Sequence, residues 1–168
     1  MKEWLKRLAL LAALGAIGYW GWSQFFPGPE KAIRKQISAL ARAASFGPRQ
    51  GVISEAWKAT GISAFFTTNV EVTIDVPGLQ HNVNGLDELT SAMLAARHML
   101  TSLRIELPDI KVAIQPGGEA AVVNLTARAQ AVRPSNVTDD YIQELRLYLI
   151  KVKRDWLIKE IVTVRTLS

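Results

Sequence analysis

The chain has 168 residues, about the length of one domain, with 49% apolar and 21% charged residues, which excludes an intrinsically disordered protein. It has no cysteine and two histidines, which excludes disulfides, thiolate chemistry and a histidine-rich metal site, so we expect no bound metal. The net charge is +5, but only +3 of it lies beyond the first seven residues. That charge is too small for a nucleic-acid-binding surface.

The N-terminus has the pattern of a membrane anchor. Residues 1–7 carry three basic side chains, and residues 8–26 carry no charge and end in a cluster of aromatic residues. As a helix, the uncharged run spans about 28 Å, close to the ~30 Å hydrocarbon core of a bilayer. The basic head favours a cytoplasmic N-terminus. We therefore predict a cytoplasmic head, a transmembrane helix over residues 8–26 that binds the lipid bilayer, and an exported domain over residues 27–168.

A cleaved signal peptide is the alternative for this segment. Gly21 and Ser23 are small enough for the −3 and −1 positions of a cleavage site, but no A-x-A sequence is present. We favour the retained anchor. The prediction is a single-pass protein of the bacterial inner (cytoplasmic) membrane, with its C-terminal domain on the periplasmic or extracytoplasmic side.

The exported segment shows helical periodicity first and strand periodicity later. Apolar spacing predicts a first helix that ends at Phe46-Gly47-Pro48, and further helices over about 52–64 and 87–100. Alternation predicts strands over about 69–76, 80–84, 103–115, 119–132, 140–153 and 156–167. The apolar phase slips at Pro108, which predicts a bulge. The fold class is therefore α+β, with three helices packed on one face of a bent, mainly antiparallel sheet.

This order of elements resembles the nuclear transport factor 2-like superfamily, the cone-shaped fold of ketosteroid isomerase and the SnoaL-like cyclases. The resemblance rests on stretches that open or close the elements: Glu30–Ile33, Phe65–Val70, His81–Leu89, Tyr148–Val152 and Asp155–Ile158. It implies a pocket between the concave face of the sheet and the helices. It indicates a fold and no single reaction, because the superfamily includes enzymes, binding modules and assembly parts.

Two strands predict how the faces of the sheet divide. Strand 119–132 places small apolar residues on one face, which we expect under the helices, and polar residues such as Asn124 and Arg128 on the other. Strand 140–153 adds a row of mixed apolar and charged residues, as in non-obligate interfaces. We therefore expect a homodimer through the outer face of the sheet. The row contains Ile142, Glu144, Arg146, Tyr148, Ile150 and Val152.

The candidate catalytic residues are Glu160, Asp75 and His81. In the last strand, Glu160 is predicted to share a face with apolar residues such as Trp156 and Ile158. In a pocket its charged form would be costly, which suits a general acid or base. The alternative is a glutamate at the sheet rim or paired with an arginine. Asp75 and His81 lie near one another and could form a proton relay. The candidate ligand contacts are the aromatic residues Trp57, Trp156 and Tyr148.

Two functions are compatible with this pattern. The first is a non-enzymatic, membrane-anchored envelope domain that binds a small apolar ligand or a protein partner. The alternative is a membrane-tethered SnoaL-like or isomerase-like enzyme that uses a pocket carboxylate. The sequence contains no dinucleotide, Walker or zinc-protease motif, so we expect no cofactor. An enclosed pocket with convergent ionisable groups would favour the enzyme.

Overall fold

The computed structural model describes residues 28–48, 61–76 and 79–164. The predicted anchor over residues 8–26 lies outside the described residues. So does most of the predicted helix over 52–64, of which a helical turn at 61–63 is described. Within the described ranges, no helix is long and apolar enough to cross a membrane.

Two helices are described in full, α1 (Pro29–Ala44) and α2 (Leu86–Met99). Pro29 suits the first turn of α1, because its fixed φ is helical and its missing N–H would have no intrahelical partner there. Ile33 and Ile37 lie four residues apart, so they share one face of α1, and both are fully buried. By contrast, α2 has no fully buried residue. The first helix is therefore the main cover of the sheet among the described elements.

Six strands form one sheet in the order β2-β1-β6-β5-β4-β3. The pairing of β1 with β6 is parallel, and every other pairing is antiparallel. The α+β class and the mainly antiparallel sheet are thus confirmed. The strands are β1 (Phe66–Val76), β2 (Leu79–Asn84), β3 (Ser102–Ile114), β4 (Ala120–Val132), β5 (Thr138–Val152) and β6 (Asp155–Thr163).

Local sequence explains the bend and the tight turns. The pairing of β3 with β4 shifts register between Glu106 and Asp109, so the bulge predicted at Pro108 is confirmed. Proline removes a ladder donor, and the register shift accommodates that loss. Gly117 and Gly118 both have positive φ in the β3–β4 turn, a conformation that side chains disfavour.

The core lies between α1 and the inner face of the sheet. Two side chains fix α1 over the sheet, because Arg34 donates to the carbonyl of Ile110 and Gln36 donates to the carbonyl of Trp156. The inner face of the sheet is apolar along β4, β5 and β6, as the alternation in strand 119–132 predicts. The buried residues of these three strands are Ala121, Val123, Leu125, Ala131, Leu147, Leu149, Trp156 and Ile158.

Ser45 attaches the C-terminal end of α1 to the edge strand β3. Its hydroxyl donates to the carbonyl of Ala41 at 2.8 Å and accepts the N–H of Ile105 at 2.9 Å. Next to it, Phe46 and Leu103 exchange backbone hydrogen bonds of 2.8 and 2.9 Å. The helix end and the strand are therefore joined by side-chain and backbone bonds together.

We expect Ser45→Ala to lower the free energy of unfolding by about 1–3 kcal/mol, because the half-buried N–H of Ile105 loses its acceptor. Ser91→Ala is the matched control. Among the described residues, the Ser91 hydroxyl bonds only to the carbonyl of Asp87 in its own exposed helix turn, so its loss should cost less than about 0.5 kcal/mol. Urea unfolding followed by circular dichroism compares the two. Equal effects would contradict a bridging role for Ser45.

Candidate functional site

Of the three aromatic residues proposed as ligand contacts, the two that are described, Tyr148 and Trp156, do not converge. Trp156 is only 3% exposed and belongs to the core on the inner face. Tyr148 is half-buried and leaves the sheet on the outer face, since it is the neighbour in sequence of the inward-facing Leu147 and Leu149. Trp57 lies outside the described residues. Tyr148 and Trp156 therefore cannot line the same pocket.

The expectation that Glu160 shares a face with Trp156 and Ile158 is wrong. In the pairing of β5 with β6, Leu149 is opposite Ile158, but Tyr148 is opposite Glu160. One step along β5 thus corresponds to two along β6, so Lys159 is an extra residue in a bulge. The bulge reverses the alternation beyond it. Glu160 consequently lies on the outer face with Tyr148.

The pairing of β1 with β6 adds a second carboxylate beside Glu160. Glu71 and Glu160 are register partners in these parallel strands, so their side chains leave the same face of the sheet. Like charges in neighbouring positions of a sheet destabilise it by a few tenths of a kcal/mol, about 0.2–1. This arrangement places both carboxylates on the outer face, with Glu71 exposed and Glu160 half-buried, and not among the core residues beneath α1.

Asp75 and His81 lie near each other but on different faces of the sheet. His81 is opposite Ile74 in the pairing of β1 with β2, and Asp75 is the next residue of β1. Both residues border an open depression of about 250 Å³ at this edge of the sheet. The backbone of Asp75 exchanges hydrogen bonds with the Thr163 hydroxyl, at 2.9 and 3.3 Å. The side chains of Asp75 and His81 therefore leave opposite faces of the sheet.

The outer face of β3, β4 and β5 carries the largest set of polar groups that the strands bring together. We call the part defined by these three strands the outer face. It holds eight exposed charged residues in equal numbers of each sign, so its net charge is zero. The basic residues are Arg104, Lys111, Arg128 and Arg146, and the acidic ones are Glu106, Asp109, Asp140 and Glu144.

An open depression of about 470 Å³ lies on this face, where the three strands approach the β4–β5 turn. On one side of it, Arg104 forms an ion pair with Glu106 at 2.9 Å. On the other, Gln130 donates to Asp140 at 3.1 Å. Arg128 lies between them. In residues 28–48, 61–76 and 79–164, its guanidinium has no hydrogen-bond or ion-pair partner.

An exposed apolar side chain lies beside that arginine. Arg128 is opposite Ile142 in the pairing of β4 with β5, and Ile142 is 67% exposed. A free guanidinium next to an exposed isoleucine offers one charged and one apolar contact to a binding partner. Sequence reasoning placed both residues on the outer face, but it did not identify this pair, because their adjacency depends on the cross-strand register.

A second open depression, of about 210 Å³, continues along the same face toward the β3–β4 turn. It is bordered by the ion pair between Lys111 and Asp109, at 3.6 Å, and by the hydrogen bond from Arg146 to Asn124, at 2.9 Å. The polar surface is therefore continuous along the three strands. Both depressions are shallow and open, unlike a cavity that excludes water.

The β4–β5 turn is closed by an ion pair at the end of the outer face. Arg133 and Asp139 approach to 2.7 Å. The Asp139 carboxylate, together with a hydrogen bond to Tyr141, raises the pKa of Arg133 above its ordinary value. No group of three histidine or acidic side chains capable of holding a metal ion is present in the described ranges.

The comparisons with known proteins concern the fold. Neither a protein-family model nor a curated protein matches the sequence. Solved structures do match. A scytalone dehydratase-like protein from Novosphingobium aromaticivorans is 13% identical with a TM-score of 0.65, over 82% of this chain and 84% of that one.

Two further structures agree with that result. A nuclear transport factor 2-like protein with a cystatin-like fold from N. aromaticivorans is 14% identical with a TM-score of 0.61, over 92% of this chain and 86% of its own. ActVI-ORFA from Streptomyces coelicolor is 10% identical with a TM-score of 0.60, over 82% and 96%. The chain thus has the fold of the SnoaL-like and nuclear transport factor 2-like proteins, as its sequence resemblance implies.

We expect Glu160→Gln to change the free energy of unfolding by less than about 0.5 kcal/mol, as for most surface substitutions. Any increase in the free energy of unfolding should come from relief of the repulsion between Glu160 and Glu71. The increase should therefore disappear in high salt, which screens exposed charges. Glu71→Gln is the matched control and should behave in the same way. Denaturant titrations at low and high salt measure both. A large gain at Glu160 that persists in high salt would instead indicate a desolvated carboxylate.

Proposed function

We propose that this chain is a membrane-anchored, non-enzymatic interaction domain of the bacterial envelope, whose outer face binds a protein. The observation that carries this proposal is the division of the sheet. The inner face is filled by core residues beneath α1, whereas the outer face presents Arg128 and Ile142 without a covering element among the described residues. Of the two occupants considered from sequence, a small apolar ligand and a protein, the outer face suits the protein.

A second copy of the chain is the partner that this face fits best. Four basic and four acidic side chains give a surface that is complementary to itself. Strand geometry gives the face an area of about 600 Å². This is close to the ~800 Å² per partner of a standard interface, so a reversible dimer is expected.

A membrane-tethered enzyme is the second candidate. Its support is the depression of about 250 Å³ bordered by Asp75 and His81, together with the similarity of fold to a scytalone dehydratase-like protein. It has less support than the interaction domain, because the two titratable side chains leave opposite faces of the sheet. Saturable binding of a small molecule that His81→Ala abolishes would favour it.

We expect Arg128→Glu to weaken self-association of the detergent-solubilised chain by about tenfold or more, since a charge reversal inside a complementary surface places like charges together. The measurement is analytical ultracentrifugation at micromolar concentration. Arg42→Glu is the matched control, because Arg42 is an equally exposed arginine on α1, on the other side of the sheet.

The control variant should dimerise like the unmodified chain. A chain that remains monomeric across the accessible concentrations would contradict self-association. Equal losses in the two arginine variants would also contradict it, because they would show a general effect of charge and not of the outer face.

A further inference from the structure

Two turns lie side by side at one end of the sheet. The β3–β4 turn, residues 115–119, and the β5–β6 turn, residues 153–154, both follow the same edge of the strands, because Ala120 is opposite Ile150. They are joined directly by the N–H of Lys151, which donates to the carbonyl of Glu119 at 2.7 Å. We call this part of the domain the hairpin end.

The N-terminus of α1 points toward the hairpin end. Near its start, Arg34 bonds to the carbonyl of Ile110, and just past its end, Phe46 pairs with Leu103. The helix therefore runs antiparallel to β3, and Pro29 lies toward the β3–β4 turn. Gln36 donates to the carbonyl of Trp156, so this part of the helix lies over the start of β6.

Both α1 and the last hairpin extend beyond the contact between Gln36 and Trp156. Pro29 is about 10 Å beyond Gln36 along the helix axis. Lys151 is opposite Trp156, and the tip at Lys153 extends about 7 Å beyond that level. The start of α1 and the tip of the last hairpin therefore both lie beyond this contact, in the direction of the hairpin end.

The hairpin end concentrates positive charge. The hairpin end and the first two turns of α1 together carry six exposed basic residues and three exposed acidic ones, a net charge of +3, whereas the other described residues carry eight basic and ten acidic groups, a net charge of −2. Val152, next to the tip, is an apolar side chain that is 41% exposed. The basic residues are Lys31, Arg34, Lys35, Lys151, Lys153 and Arg154, and the acidic ones are Glu30, Glu119 and Asp155.

We propose that the hairpin end docks on the anionic surface of the membrane. The inference rests on the proposed anchor over residues 8–26. Only Pro27 and Gly28 separate that segment from α1, and two residues span at most about 7 Å, so the anchor would keep the start of α1 close to the headgroup layer, with the hairpin end on the same side of the domain. Its positive charge is complementary to anionic lipids, and the oppositely charged remainder of the domain is directed away from them.

Docking in this way orients the sheet. The strands run from the hairpin end to the β4–β5 turn, so they stand upright on the membrane and the outer face is perpendicular to it. Two copies anchored in one bilayer can then meet face to face. The charge of the hairpin end thus presents the outer face to a second copy in the same membrane.

The absence of cysteine allows single labels in the full-length chain. Asp155→Cys places a fluorophore at the hairpin end and keeps every basic residue. Ser135→Cys places the same fluorophore in the exposed β4–β5 turn, about 50 Å away along β5. Each labelled chain is reconstituted into phosphatidylcholine vesicles with or without phosphatidylglycerol, and a headgroup-linked quencher reports proximity to the surface.

We expect the label at position 155 to be quenched at least about twofold more in anionic than in zwitterionic vesicles at low salt, and this difference to disappear in high salt. The label at position 135 should show little quenching in either. Replacing Lys151, Lys153 and Arg154 with glutamine should remove the difference, whereas Arg42→Gln should retain it, because Arg42 lies in the last turn of α1, away from the hairpin end. Equal quenching of the two labels, or quenching at 155 that ignores the anionic lipid, would overturn the proposal.

Flotation of the same vesicles in high salt tests the anchor separately. A chain that floats but lacks lipid-dependent quenching retains its anchor and refutes docking. A chain that binds anionic vesicles only at low salt supports docking and refutes the anchor. The two failures are therefore distinguishable.

Discussion

Burial of Ile33 and Ile37 against the inner face of the sheet determines which side of the domain is available for binding. Both side chains are completely enclosed, and the hydrogen bonds of Arg34 and Gln36 hold α1 over the same strands. Because alternate residues of a strand leave opposite faces, the residues that pack beneath α1 alternate with residues of the outer face, which no described element covers. The outer face, with its balanced charges, is a direct consequence of this packing.

The same strands connect the two surfaces to which we assign functions. β5 is 15 residues long, and it begins beside Arg128 and Ile142 and ends at the basic hairpin. One rigid element therefore fixes the distance between the proposed membrane contact and the proposed protein contact. The fold is shared with SnoaL-like proteins, and among the described residues the outer face carries polar groups on an open surface, which is the basis of the proposed interaction.

The sequence predicted the faces of β4 and the bend at Pro108, because alternation and proline have strong local signatures. It failed at Glu160 because β6 supplies apolar residues to both faces beyond its bulge. Ile161 faces inward and Val162 faces outward, so the apolar pattern of β6 fits either assignment of its residues to the two faces of the sheet. That Arg128 has no hydrogen-bond or ion-pair partner among the described residues was also beyond prediction, since it depends on which residues β3 and β5 place beside it. Trp57 and the anchor lie outside the described residues and remain predictions.

Hydroxyl-radical footprinting of the full chain in its native membrane tests most directly whether the outer face binds a protein. Ile142 and Tyr148 report on that face, and Met99, an exposed residue of α2, is the internal reference. We predict that Ile142 and Tyr148 react less in the membrane than in dilute detergent solution, while Met99 reacts equally in both. Unchanged reactivity of Ile142 and Tyr148 would show that nothing covers the outer face and would contradict this account.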